Sequence, residues 1–216
     1  MANEKDKKIF TGHENGLITI NIAEADDIKR EMARQKMNEP YRTVLGHFRH
    51  EVGHYYWDRL IDNTPNLETF RKIFGDDKAD YSAALQQHYK DGPPPNWMDN
   101  FISSYASSHP WEDWAETWAH YMHIMDTLET AYAYSVQVKP VAAKAKHNET
   151  SITNDPYTEE NFQKLITLWL PLTYAMNSLN RSMGINDVYP FVIAPAVMKK
   201  LQYIHKVCFA AKRSWG

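Results

Sequence analysis

The stretch Gly46–Trp57, GHFRHEVGHYYW, decides how this sequence is interpreted, because it places three histidines within eight residues. At 100° per residue in a helix, the side chains of metal-ligand type lie within about 100° of arc: His47, His50, Glu51, His54 and Asp58. The opposite side carries apolar and aromatic residues: Val44, Leu45, Phe48, Val52, Tyr55 and Tyr56. We therefore predict a helix with one side in the core and a stripe of ligand-type side chains on the other.

Within this helix, His50-Glu51-Val52-Gly53-His54 forms an H-E-x-x-H pattern. Residues four apart project from successive turns of one face, so two imidazoles can reach one zinc ion at about 2.0–2.1 Å. The intervening Glu51 then lies where it can take a proton from a bound water. The alternative is a solvated helix face, but a glycine inside a helix costs roughly 0.5–1 kcal/mol relative to alanine. Gly53 therefore indicates close approach of another backbone or a ligand, which favours the metal site.

Length and composition limit the remaining possibilities. With 216 residues and 43% hydrophobic content, one domain over residues 9–216 is expected after a disordered tail at 1–8. The net charge of −3 gives no electrostatic reason to expect nucleic acid or a membrane surface as a partner. Cys208 is the only cysteine, which excludes an internal disulfide and a cysteine-rich zinc site. Without an apolar N-terminal run, a cytoplasmic location is expected.

The rest of the chain predicts a predominantly α-helical α+β domain. Ile9–Ala23 alternates after a turn at His13–Gly16, so we predict a strand of a small sheet beside the H-E-x-x-H helix. That helix is expected to start at the cap Asn38-Glu39-Pro40 and to stop at Asp62–Asn66. The remaining predictions are helices at Asp26–Lys36, Leu67–Phe74, Ala79–Lys90, Ser108 to Tyr132, Thr158–Ser178 and Ala196–Ala211, and a loop at Pro140–Pro156.

A catalytic zinc site needs a third protein ligand, and the first helix does not supply it. His50 and Asp58 lie two turns apart, roughly 12 Å along the axis, so these two residues and His54 cannot share one ion. In metzincins a ligand follows the second histidine by six residues, and that position is Leu60. The third ligand must come from another helix, and the best source is His109–His123, HPWEDWAETWAHYMH.

In that second helix, Glu112, Glu116 and His123 share one face, and Glu112-x-x-Ala115-Glu116 has the form E-x-x-A-[DE]. The pair of H-E-x-x-H and a downstream E-x-x-A-E resembles the gluzincin metallopeptidases. More closely, the chain from about Phe10 onward resembles a bacterial family of zinc-binding metallopeptidases. Three stretches carry this likeness: GHFRHEVGHYYWDRL (Gly46–Leu60), HPWEDWAETWAHYMHIMDTLETA (His109–Ala131) and GINDVYPF (Gly184–Phe191).

This resemblance implies a zincin-like domain with one Zn²⁺ per chain and three protein ligands, His50, His54 and Glu112. It implies that Glu51 is the general base and later the proton donor. It also implies that Glu116 orients a ligand histidine by accepting a hydrogen bond from its free N–H. Three protein ligands and one open position are typical of a catalytic zinc site rather than a closed structural one. Family members often carry an N-terminal cysteine-rich zinc ribbon, which this chain does not contain.

The residue that would stabilise the oxyanion is less clearly indicated. Tyr105 lies seven residues before Glu112, which resembles the arrangement in anthrax lethal factor, although a packed aromatic explains Tyr105 equally well. His109, His120 and His123 are further candidates, but each is better explained individually as a structural histidine or one at the rim of the site.

The N-terminal stretch Thr11–Ile20, TGHENGLITI, bears on substrate binding, because gluzincins commonly bind substrate along a sheet edge. It is similar to the G-x-M-E-N-x-G stretch of zinc aminopeptidases, with His13 in place of methionine and one residue fewer. In that interpretation Glu14 anchors the free amine of the substrate. The alternative is a plain hairpin with Asn15-Gly16 as its turn pair.

We therefore predict a zinc metallopeptidase that hydrolyses a peptide or protein substrate. The alternatives are an aminopeptidase that uses Glu14, a non-catalytic zinc-binding or interaction module, and a helical scaffold without metal. The scaffold is disfavoured, because Glu51, Glu112 and Glu116 would be costly beside apolar faces. The sequence leaves the substrate and the oligomeric state open.

Overall fold

Seven helices and two small sheets make up the part of the chain that the structure, a computed structural model, describes: residues 11–14, 16–26, 32, 43–141 and 148–215. The helices are α1 (Val44–Leu60), α2 (Leu67–Phe74), α3 (Tyr81–Asp91), α4 (Trp97–Asn100), α5 (Pro110–Ala133), α6 (Phe162–Ser182) and α7 (Pro195–Trp215). Short 3-10 helices span Ile22–Ala25, Tyr105–Ser107 and Pro156–Thr158. This architecture agrees with the predicted α+β class of mainly helical type.

Both sheets are antiparallel pairs of very short strands. The first joins β1 (Gly12–Glu14) to β2 (Leu17–Thr19) and packs against α1, as predicted for the sheet beside the H-E-x-x-H helix. The second joins β3 (Gln137–Val138) to β4 (Thr150–Ser151), so the segment predicted as a loop contains a strand. The chain reverses at Gly16, with φ +85°, within the predicted turn at His13–Gly16. The strand predicted after this turn was too long, because it ends at Thr19 and a 3-10 helix begins at Ile22.

The helix boundaries follow the local capping signals. Thr43 has extended backbone and accepts a hydrogen bond from the backbone N–H of Gly46, so α1 begins at Val44 rather than at the predicted Asn38-Glu39-Pro40. His109 caps α5 by accepting from the backbone N–H of Trp111, with Pro110 in the first turn, as the predicted start of this helix required. The predicted tail at 1–8 and cap at 38–40 lie outside the described residues, as does nearly all of the predicted helix at 26–36.

Helix α5 lies at the centre of the hydrophobic core. Its side chains Trp114, Ile124, Met125 and Leu128 are fully buried. They belong to one cluster with buried residues of the neighbouring helices, including Phe70 of α2, Leu165 and Ile166 of α6, and Leu201 and Ile204 of α7. Of the 24 residues of α5, 13 are buried, and α1 is among the helices that pack against it.

The burial of α1 differs from the prediction over part of its apolar side. Leu45, Phe48 and Tyr55 are 52%, 46% and 36% exposed, whereas Glu51 and His54 are only 7% and 3% exposed. The reason is that the ligand-type side of α1 faces α5, where charged partners compensate its polar groups.

Gly53 permits this contact between the two helices. A Cβ atom at this position would lie 3.0 Å from Ala115 Cα and 3.1 Å from Trp118 Cβ, closer than packed atoms normally come. Trp114 also donates a hydrogen bond from Nε1 to the carbonyl oxygen of Gly53 at 2.9 Å. The prediction that this glycine marks close approach of another backbone is confirmed.

Candidate metal centre

Three side chains from α1 and α5 converge on one point. His50 Nε2 lies 3.1 Å from His54 Nε2 and 3.0 Å from Glu112 Oε2, and His54 Nε2 lies 3.4 Å from the same oxygen. Around a tetrahedral zinc ion with bonds of about 2.0–2.1 Å, ligand atoms are separated by about 3.3–3.4 Å. The donor atoms and their spacing therefore fit a zinc ion held by the three predicted ligands.

The hydrogen bonding of Glu112 also fits a cation at this point. Glu112 is 1% exposed, and its Oε2 faces the imidazole nitrogens of His50 and His54, at 3.0 Å and 3.4 Å. Burial would raise the pKa of Glu112, but the two imidazoles lower it well below its ordinary value, so the carboxylate is ionised. Burial of a carboxylate costs free energy, and a cation bound at Oε2 would compensate part of that cost.

Glu116 contacts the outer side of the His50 ring. Its Oε1 lies 2.6 Å from His50 Nδ1, and its Oε2 accepts a hydrogen bond from Ser103 Oγ at 2.6 Å. Burial opposes ionisation, but the contacts with His50 and Ser103 lower the pKa of Glu116 to about 2. With Nδ1 bonded to this carboxylate, His50 directs Nε2 towards the candidate metal position. Ser103 was not predicted, since nothing in its local sequence indicates a partner on α5.

His54 is buried, with an aromatic side chain against its ring. Its ring packs on the ring of Trp111 with a centroid separation of 3.7 Å. Burial lowers the pKa of His54 to about 4, so the imidazole is neutral at neutral pH, as a metal ligand must be.

Glu51 lies on the buried side of α1 between the two histidines. Burial raises the pKa of Glu51, and the neighbouring charges of Glu112 and Glu116 raise it further, against the opposing effect of His50. A carboxylate with a raised pKa accepts a proton more readily near neutral pH, which is the property required of a general base.

Two tyrosines border the centre, one predicted and one not. The ring of Tyr105 lies 6.0 Å from that of His50, and burial raises the pKa of its hydroxyl, which stays protonated and able to donate. Tyr81, at the start of α3, donates a hydrogen bond to Glu112 Oε1 at 2.6 Å. Tyr81 was missed because it lies 31 residues from Glu112 in the chain, at no motif spacing.

The chain matches the family described as "Putative zinc-binding metallo-peptidase" over residues 1–207. The chain belongs to this family. The resemblance in the three quoted stretches thus reflects membership of this family, and His50, His54 and Glu112 form a group in this member that could hold a metal ion.

The relatives of this family member are longer proteins. "Uncharacterized protein Rv2568c" of Mycobacterium tuberculosis and "Uncharacterized protein Mb2598c" of Mycobacterium bovis are each 48% identical to it over 208 residues. The alignment covers 96% of this chain and 58% of each relative, so the chain spans less than two thirds of their length. No solved structure is significantly similar to the chain, so the gluzincin fold stays a prediction.

The other candidate residues of this metallopeptidase family member lie outside the ligand cluster. Glu14 is exposed in β1 opposite Leu17, in the hairpin that was the alternative to an amine anchor. His109 caps α5, and His120 lies 2.8 Å from the hydroxyl of Tyr189 through Nδ1. The other two residues considered are His123, which contacts Arg49, and Asp58, which is exposed on α1. In the described part of the chain, no helix is both long and apolar enough to cross a membrane.

Proposed function

We propose that this protein is a zinc-dependent peptidase that cleaves peptide bonds in a peptide or protein substrate. The observation that carries the proposal is the convergence of His50 Nε2, His54 Nε2 and Glu112 Oε2 within 3.4 Å of one another, with Glu51 on the same buried face. Membership of a zinc-binding metallopeptidase family supports the same class of reaction.

The three ligands leave one position of a tetrahedral site open. A bound zinc ion supplies Lewis acidity there, which polarises a carbonyl group and lowers the pKa of water. Two glutamates of the chain would have separate roles in the reaction. Glu51 accepts the proton of the attacking water and delivers it to the leaving amine. Glu116 keeps His50 in the correct tautomer, since its carboxylate accepts from Nδ1–H.

Tyr105 is the proposed donor to the developing oxyanion. Its hydroxyl stays protonated, because burial raises its pKa, and its ring lies 6.0 Å from that of a ligand histidine. A preorganised donor of this kind typically contributes about 10²–10³ in kcat. Replacement of Tyr105 by phenylalanine is expected to lower kcat while leaving bound zinc unchanged.

The first test is zinc content, measured by elemental analysis on the purified chain and on His54→Ala, Glu112→Ala and Glu51→Gln. We expect about one zinc per chain in the wild type and in Glu51→Gln, and a strong loss in the two ligand variants. Zinc that survives in Glu112→Ala would assign the third ligand elsewhere. No zinc in the wild type after metal-replete preparation would refute the proposal.

The second test is hydrolysis of a peptide library by the zinc-loaded proteins. Glu51→Gln should lose about 10²–10⁴ in rate although its zinc content is unchanged, because it lacks the general base. Cleavage restricted to peptides with a free N-terminus, and lost in Glu14→Gln, would assign the aminopeptidase alternative. Zinc binding without cleavage of any peptide would assign the non-catalytic alternative.

A further inference from the structure

Helix α3 (Tyr81–Asp91) borders the candidate metal centre but contains no buried residue. Gly75 and Gly92, with φ of +114° and +77°, lie before and after it, and three prolines follow Gly92. A helix with little buried apolar surface belongs to the less stable parts of a protein, so its position depends on a few specific contacts.

The contacts that hold α3 lead to the metal centre. Tyr81 donates from its hydroxyl to Glu112 Oε1 at 2.6 Å. His109 accepts a backbone hydrogen bond through Nδ1, so its Nε2–H donates to the carbonyl oxygen of Ala79, just before α3, at 3.1 Å. Further along the helix, the ring of His88 lies 6.1 Å from that of Tyr105. The helix is therefore attached to the residues that surround the candidate zinc position.

We propose that Tyr81 is a positioning residue for Glu112, and that zinc binding and the docking of α3 stabilise each other. The inference rests on the zinc site of the proposed function. The two oxygens of Glu112 have different partners. Oε1 accepts a hydrogen bond from the hydroxyl of Tyr81, and Oε2 faces the imidazoles of His50 and His54. A hydroxyl bonded to one carboxylate oxygen fixes the rotation of the group and directs the other oxygen to the metal position.

Coupling to α3 follows from thermodynamic reciprocity. If the docked helix holds Glu112 in the rotation that binds zinc, then zinc must favour the docked helix by the same free energy. Without the hydroxyl, Oε1 would be a buried carboxylate oxygen that lacks its donor, and the carboxylate would be free to turn.

The variant Tyr81→Phe removes the hydroxyl and keeps the ring, so it distinguishes the effect of the hydrogen bond from that of ring packing. The ring of Tyr81 packs edge-on against His109 and Trp111, with centroid separations of 5.3 Å and 5.7 Å, and phenylalanine preserves these contacts. Tyr89→Phe is the matched control, because it removes one hydroxyl from the same helix at a residue that is 65% exposed.

Zinc affinity is measured by competition with a chromophoric chelator. We expect Tyr81→Phe to bind zinc about 10–100-fold more weakly than the wild type, as for other residues that orient metal ligands. Tyr89→Phe should differ from the wild type less than twofold. Metal-free Tyr81→Phe should still unfold in one cooperative transition, at a melting temperature only several degrees below that of the metal-free wild type, because one buried hydrogen bond is lost. Such a transition would show that the variant is folded. Equal zinc affinity in Tyr81→Phe and the wild type would overturn the positioning role.

Hydrogen exchange tests the coupling to α3. Zinc should increase the protection of amides in α3 of the wild type, and this increase should be lost or greatly reduced in Tyr81→Phe. Protection of α3 that does not respond to zinc would overturn the coupling. Neither readout uses activity, so zinc binding without peptide hydrolysis would contradict the proposed function alone, whereas a wild type that binds no zinc would overturn both.

Discussion

At the scale of single residues, the pKa of His50 is subject to two opposing effects, burial and the charges of two glutamates. Its ring lies between two carboxylates, with Nε2 3.0 Å from Glu112 and Nδ1 2.6 Å from Glu116. Burial would lower the pKa of His50, but the hydrogen bonds and charges of these two glutamates raise it well above its ordinary value. In the metal-free protein His50 therefore keeps a proton that it must lose before Nε2 can bind a metal.

This proton predicts how zinc affinity depends on pH. An ordinary histidine is mostly neutral above about pH 6.5, so affinity would level off there. Because the pKa of His50 is raised, zinc affinity should continue to rise about tenfold per pH unit above that value, until the pH passes the raised pKa. Chelator competition at several pH values measures this slope.

The matched variant for this prediction is Glu116→Gln, which removes one of the two charges that raise the pKa of His50. Its zinc affinity should level off at a lower pH than that of the wild type. A wild-type affinity that is constant above pH 6.5 would contradict the prediction, because it would mean that no proton leaves the site on binding.

At the scale of elements, the contact between α1 and α5 sets the geometry of the ligands. Gly53→Ala would place a methyl group 3.0 Å from Ala115 Cα, and backbone atoms cannot move aside as a flexible side chain can. Overpacking of this kind costs about 1–3 kcal/mol, which exceeds the roughly 0.5–1 kcal/mol gained in helix propensity. We expect a lower free energy of unfolding in urea and weaker zinc binding, because the helices that carry the ligands are forced apart.

The control for Gly53→Ala is Gly12→Ala, which adds the same methyl group where no heavy atom lies within 4 Å. Its free energy of unfolding and zinc affinity should match those of the wild type. If Gly53→Ala is as stable as Gly12→Ala, then the close packing of the two helices does not limit this position.

A buried ion pair joins α7 to the first turn of α5. Lys200 Nζ lies 2.6 Å from Asp113 Oδ2 and donates to the carbonyl oxygen of Asn100 at 2.6 Å, and both charged side chains are buried. Lys200→Met would leave the carboxylate without its cation, which typically costs about 3–5 kcal/mol. Denaturant unfolding should show this loss, and Asp113→Asn added to Lys200→Met should recover part of it.

Lys164→Met tests whether burial of the ion pair is the reason for the large loss of stability expected in Lys200→Met. Lys164 pairs with Glu159 at 3.3 Å, but its side chain is 67% exposed. Solvent screens such a pair, so its removal should change the free energy of unfolding by about 1 kcal/mol or less. Similar effects of the two lysine substitutions would contradict the importance of the buried pair.

At the scale of the whole molecule, zinc would join two helices that are far apart in the chain, and so stabilise the folded state. At a free zinc concentration of 100 times Kd, the gain is about 2.7 kcal/mol. For a domain of this size, each kcal/mol corresponds to about 2–4 °C in Tm, so a chelator should lower Tm by roughly 5–11 °C. Calorimetry with and without chelator measures the shift. His54→Ala should show a much smaller response, and an equal response would place the stabilising metal elsewhere.

Much of the site could be predicted because its parts repeat at helical spacing. His50 and His54 are four residues apart, as are Glu112 and Glu116, and both separations place side chains on one helical face. Ser103 and Tyr81 contact the same glutamates, but they lie in a loop and in another helix. Their local sequences contain no spacing that relates them to α5, so only the folded chain identifies them.

The sequence by itself determined most of the helices, the start of α5, the metal-ligand pattern and the family, because these depend on residues close together in the chain or on direct similarity. The tertiary structure alone decided which side of α1 is buried. Apolar periodicity predicted that Leu45 and Phe48 face the core, yet Glu51 and His54 are buried instead. The burial of a polar face depends on whether a distant element supplies charges and hydrogen bonds to compensate it, and here α5 supplies Glu112 and Glu116.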